Sequence, residues 1–132
     1  MEYNLYQYLE KNALKYPHNI AINYKKNKLT YTDFLKKINL FVNYFSFTLK
    51  IKKGERIAVL IYNRTEFLLI FYACAKLGII LVPINWRLTS FEIIHIVKDV
   101  DTKYLFSDSD FTKTCKVIKN KITKLNIIDL DS

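Results

Sequence analysis

Glycine is scarce in this chain. Gly54 and Gly78 are the only two among 132 residues, where average usage of about 7% predicts roughly nine. Standing so far apart, they leave no G-x-G-x-x-G dinucleotide turn, no Walker-type phosphate loop, no G-x-S-x-G nucleophile elbow and no EF-hand glycine in its usual setting. Arginine is scarce too. Only Arg56, Arg64 and Arg87 are Arg among 21 basic residues, so the net charge of +9 is carried by Lys. Its point-like ammonium lacks the planar fork that reads bases and phosphates in pairs. The two cysteines, Cys74 and Cys115, lie too far apart to make a metal spacing or a disulfide framework. Cys74 falls in an apolar run and reads as a small buried hydrophobe. The start, Met-Glu-Tyr-Asn, has neither the basic n-region nor the apolar h-region of a signal peptide, so the reducing cytoplasm is the expected compartment.

What remains is ample for a core. Apolar residues make up 51% of the chain and aromatics 15%, far from a disordered composition. Phe67 to Trp86 carries a single charge over a length that could span a bilayer. Lys76 near its middle, the helix-stop signal Gly78 and the β-branched run into Pro83 instead predict a buried helix followed by a buried strand, with no transmembrane span.

Asn4 and Gln7 form a capping box for a first helix that runs to about Tyr16, where Pro17 ends it. Ile20 to Tyr24 and Leu29 to Tyr31 predict a small hairpin around Lys25 to Lys28. Thr32 is the expected cap of a second helix, whose stripe of Phe34, Leu35, Ile38, Phe41, Val42 and Phe45 faces a core. From Ile57 the pattern changes. Ile57 to Tyr62 is unbroken apolar sequence, the signature of a strand covered on both faces. Asn63 or Thr65 should cap the helix that ends at Gly78. A second strand over Ile79 to Ile84 leads to the capping box Thr89-Ser-Phe-Glu92 and a helix to about Val100. A strand at Tyr104 to Ser107, a Lys-rich helix from Asp110 to about Asn120 and a strand at Ile127 to Leu130 follow. The sub-parts are thus 1–50, a helix–hairpin–helix lead-in, and 51–132, a β-α-β-α-β-α-β segment. The fold class is α/β, a partial three-layer sandwich with a mostly parallel sheet flanked by helices. The alternation calls for a further helix after the fourth strand, so the chain is expected to be the opening portion of a larger domain, either truncated or a naturally short product.

No catalytic set emerges. Glu92 and His95 make a single E-x-x-H, but a di-iron site needs two such units plus two further carboxylates, and no metal site is expected. His18 sits in a turn without a nucleophile or carboxylate nearby. The lysines at 113, 116, 119, 121 and 124, and at 50, 52 and 53, lack interleaved Arg and aromatics, so they read as solvated faces in preference to a nucleic-acid surface. Arg87 is the one candidate site residue. It follows the second parallel strand, where open α/β sheets bind ligands, and could meet a phosphate near a helix N-terminus. The alternative is a surface salt bridge, to Glu92 for example.

Leu29-Thr-Tyr-Thr-Asp-Phe34 resembles the L-T/S-Y-x-E-L motif of the AMP-forming acyl-CoA synthetases and adenylation domains, with Asp33 and Phe34 as conservative departures. Lys53-Gly-Glu-Arg-Ile-Ala-Val59, Asn63-Arg-Thr-Glu-Phe67 and Lys76-Leu-Gly-Ile-Ile-Leu-Val-Pro-Ile-Asn85 are similar to further segments of that family in the same order. Asn85-Trp-Arg-Leu-Thr89 resembles its acid–CoA ligase branch, and the whole resemblance runs from about residue 4 to 108. It implies activation of a carboxylic acid by ATP with Mg²⁺ to an acyl-adenylate, then a thioester with CoA. The family's Ser/Thr/Gly-rich phosphate loop, its Y-G-x-T-E segment and its lid Lys do not occur here. The resemblance therefore implies an N-terminal fragment, inactive alone and binding no cofactor tightly, whose partner is the remainder of the ligase. It also implies a CoA phosphate contact for Arg87. The acid is open between a fatty acid, an aryl acid and o-succinylbenzoate, with the Asn85–Thr89 wording favouring a fatty acid. The competing readings are a stand-alone interaction module on the same scaffold and a basic nucleic-acid binder.

Overall fold

A computed structural model describes residues 4–132. The chain forms two compact units, one from residues up to Gly54 together with Arg64–Ile79, the other from Glu55–Asn63 and Ile80–Ser132.

The first unit contains the helices α1 (Leu5–Lys15), α2 (Tyr31–Asn43) and α3 (Thr65–Leu77), with the strands β1 (Ile20–Tyr24) and β2 (Asn27–Thr30). The Asn4/Gln7 capping box forms as the sequence indicates. The cap of α2 does not. Thr30 Oγ1 accepts from the Asp33 amide, while the Thr32 hydroxyl donates to the Pro17 carbonyl. Two Thr stand two residues apart, and the one with a competing acceptor is drawn away from the cap position. Phe34, Ile38 and Val42 are buried along α2, so the apolar stripe packs inward. The helix then widens into a π-helical turn over Tyr44–Thr48 that buries Phe45. Neither Asn63 nor Thr65 caps α3. Arg64 holds that position without a side-chain cap bond, and its Nε donates instead to Glu66 at 2.6 Å. Gly78 ends α3 in the left-handed conformation at φ 69°. A Cβ there would lie 2.8 Å from Lys53 Cγ, so the left-handed backbone favours glycine and any larger residue would also displace the Lys53 side chain. Lys76, the lone charge of the apolar stretch, reaches Tyr6 Oη at 3.2 Å and Asn39 Oδ1 at 3.4 Å. No described helix is long and apolar enough to cross a membrane.

The second unit is a four-stranded parallel sheet in the order β4-β3-β5-β6, built from β3 (Arg56–Leu60), β4 (Ile80–Pro83), β5 (Tyr104–Ser107) and β6 (Asn126–Asp129). The fold is the α/β class with a parallel sheet flanked by helices that the alternating pattern indicates. Residues Ile57 to Leu60 are all buried, which accounts for the unbroken apolar run. The helices α4 (Ser90–Val100) and α5 (Thr112–Lys121) bury Ile93, Val97, Cys115 and Ile118 in one cluster with Ala58, Leu60 and Leu105. A single turn of 3₁₀ helix at Ser109–Phe111 precedes α5, so the α-helix starts two residues later than the Asp110 expected from the sequence.

Candidate functional site

All four strands run parallel, so their carboxyl ends share one edge of the sheet. The strand order reverses between β3 and β5, because β3 connects onward to its neighbour on one side and β5 to its neighbour on the other. Crevices at such a reversal are where open α/β sheets take ligands. Here Tyr62 leaves β3, Trp86 and Arg87 leave β4, and Asp108 leaves β5.

These residues meet. The Tyr62 ring stands edge-on to Trp86 at 5.0 Å and packs against Phe111 at 4.9 Å. The Tyr62 amide donates to Asp108 Oδ2 at 2.7 Å, and the Asp108 amide donates to the Leu60 carbonyl. Asp108 is buried, so its carboxylate acts as a fixed acceptor that ties the exit of β3 to the exit of β5. The Arg87 guanidinium lies over the Trp86 ring, 5.0 Å from its centroid, and the Arg87 amide donates to Asn85 Oδ1 at 3.0 Å.

Arg87 is exposed, and no carboxylate among the described residues pairs with it. No Arg87–Glu92 ion pair forms among the described residues, and Glu92 instead caps its own helix. Its Oε1 accepts from the Thr89 amide and hydroxyl at 3.3 and 2.9 Å, completing the capping box of α4. His95 lies near Asp99 Oδ2 at 3.4 Å, both well exposed. No group of three or more metal-ligating side chains occurs among the described residues. Beside Asp108, the Ser109 hydroxyl donates to the Asp129 carboxylate at 2.9 Å and the Ser109 amide to Asp131 Oδ2 at 3.1 Å. These carboxylates are thus engaged in closing the β5 and β6 exits. The lysine cluster of α5 is partly structural, since Lys119 Nζ donates to the Thr123 and Leu125 carbonyls. Sequence reasoning singled out Arg87 alone and missed Trp86, Tyr62, Asp108 and Phe111 as parts of its setting. The available signal was that Asp108 directly follows a strand and that Tyr62 stands at the end of the apolar run of β3.

The edge therefore offers one free guanidinium on an aromatic platform. It suits a phosphate or carboxylate anion.

Comparison with known proteins places the chain in a family. The model of the AMP-binding enzymes matches residues 9–132, and the chain belongs to that family. It is 43% identical over 58 residues to a fatty acid–[acyl-carrier-protein] ligase of Streptomyces coeruleorubidus, a match covering 44% of this chain and 11% of the ligase. Among solved structures, the N-terminal domain of FACL13 from Mycobacterium tuberculosis superposes with a TM-score of 0.90 at 28% identity, over 99% of this chain and 35% of that one. The o-succinylbenzoate coenzyme A synthetase of Bacillus subtilis, solved with ATP and magnesium ion, gives 0.84 at 25% identity, over 99% and 34%. The chain thus spans about a third of these solved chains.

Proposed function

We propose that this chain is the N-terminal portion of the AMP-binding domain of an acid–CoA ligase, with 1–50 as its lead-in and 51–132 as the start of its sheet. In that reaction a carboxylate oxygen of the acid attacks the α-phosphorus of ATP, the α–β anhydride bond breaks, and pyrophosphate leaves. The CoA thiol, losing its proton, then attacks the acyl carbon, and AMP leaves with the electron pair of the acyl–oxygen bond. The observation that carries the reading is the family match over residues 9–132 in a chain with only two glycines. Glycine-dependent cradling of ATP phosphates has no counterpart here, so these residues supply scaffold and are inactive alone.

ATP with Mg²⁺ and CoA serve the whole ligase, and none binds this portion tightly. Arg87 contributes a contact to a CoA phosphate, supported by its free guanidinium at the strand-end edge. The partner is the remaining ligase chain, and nucleic acid is not a partner. The Asn85–Thr89 wording favours a fatty acid as the substrate. Two buried free cysteines accord with a reducing, cytoplasmic setting.

A chimera tests the proposal: residues 9–132 replace the corresponding segment of an active acid–CoA ligase. The expected result is a folded protein that still forms acyl-CoA. A folded chimera that forms neither acyl-adenylate nor thioester overturns the reading.

A further inference from the structure

Resting on the reading that Arg87 meets a CoA phosphate, we propose that Trp86 is a positioning residue that holds the Arg87 guanidinium ready for that anion. An exposed Arg ordinarily samples many rotamers and loses them on binding, at a cost to affinity. Here the guanidinium carbon lies 5.0 Å from the indole centroid, a cation–π contact that favours this placement over the other rotamers while the side chain stays exposed to an incoming phosphate. The indole is itself held. Trp86 packs on Tyr62, Tyr62 packs on the buried Phe111, and the Tyr62 amide is anchored on the buried Asp108 carboxylate. The chain of support therefore runs from the sheet edge, where β3 and β5 meet, out to the Arg87 guanidinium. Trp86 is 40% exposed, so its ring is open to the guanidinium on the face that Tyr62 does not cover.

Two-dimensional ¹⁵N NMR of the 132-residue chain tests the inference, with adenosine 3′,5′-bisphosphate as the probe for the nucleotide end of CoA. Trp86 is the only tryptophan, so the indole N–H gives a single unambiguous resonance. The indole and Arg87 Nε–H signals are expected to shift together and saturate. Trp86→Leu is expected to weaken affinity about two- to fivefold, and Trp86→Tyr, which keeps a ring under the guanidinium, to stay within about twofold of the parent. Arg87→Gln should weaken it about tenfold or more. Unchanged affinity in Trp86→Leu, with Arg87→Gln weakened, overturns the positioning role and leaves the phosphate contact standing. Unchanged affinity in Arg87→Gln, or no saturable shift in the parent chain, overturns the phosphate contact itself. Should Trp86→Leu fail to fold, movement of the Arg87 signal without the indole in the parent still overturns the role.

Discussion

Burial of Cys74 pushes its thiol from the ordinary 9.0 up to about 12, because a thiolate in apolar surroundings loses its hydration. Cys115 moves the same way, also through burial, although a hydrogen bond with Ser107 opposes the shift. Both cysteines therefore behave as hydrophobes and neither as a nucleophile. In the folded chain Cys74 is expected to resist Ellman's reagent at about pH 8, where exposed thiols react, and to react fully in guanidinium. The linked stability has a definite sign. Below the unfolded-state pKa neither state ionises and stability is intact. As pH rises from about 9 toward 12 the unfolded thiol ionises first, and stability falls by about 1.4 kcal/mol per unit. Urea midpoints measured across that range should fall less steeply in Cys74→Ala than in the parent, and equal slopes would contradict the burial argument.

Among the elements, α4 depends most visibly on local chemistry. Thr89 and Glu92 satisfy each other's backbone donors at its first turn, and Thr89→Ala is expected to cost about 1 kcal/mol, read as a lowered urea midpoint with unchanged slope. The same box was legible in the sequence, as were the Asn4/Gln7 box, the Gly78 stop and the limits of β1 and β5, because all are set within a few residues. The cap of α2 was not, since the rival acceptor for Thr32 is the carbonyl of Pro17, well upstream. The π-helical turn after α2 carries neither Gly nor Pro to announce it. Arg87 was legible as a strand-end cation beside Trp86. Its wider setting was not: Tyr62, Trp86 and Asp108 meet only because the strand order is β4-β3-β5-β6, and hydrophobic periodicity encodes where strands lie, not which are neighbours.

For the whole molecule, the scarcity of glycine and the family match point the same way. The two glycines adopt positive φ at 87° and 69°, the conformation that glycine takes without steric cost, and none is left over for a phosphate-binding loop. The chain belongs to the AMP-binding enzymes and spans about a third of the length of the solved relatives; the function proposed above makes this portion a scaffold that presents Arg87, with the activation chemistry carried by other residues. Exchange of labelled pyrophosphate into ATP, dependent on added carboxylic acid, tests that claim most directly. The purified 132 residues are predicted to give no exchange above the no-protein control with fatty or aryl acids. Exchange that rises with chain concentration and requires the acid would contradict the account.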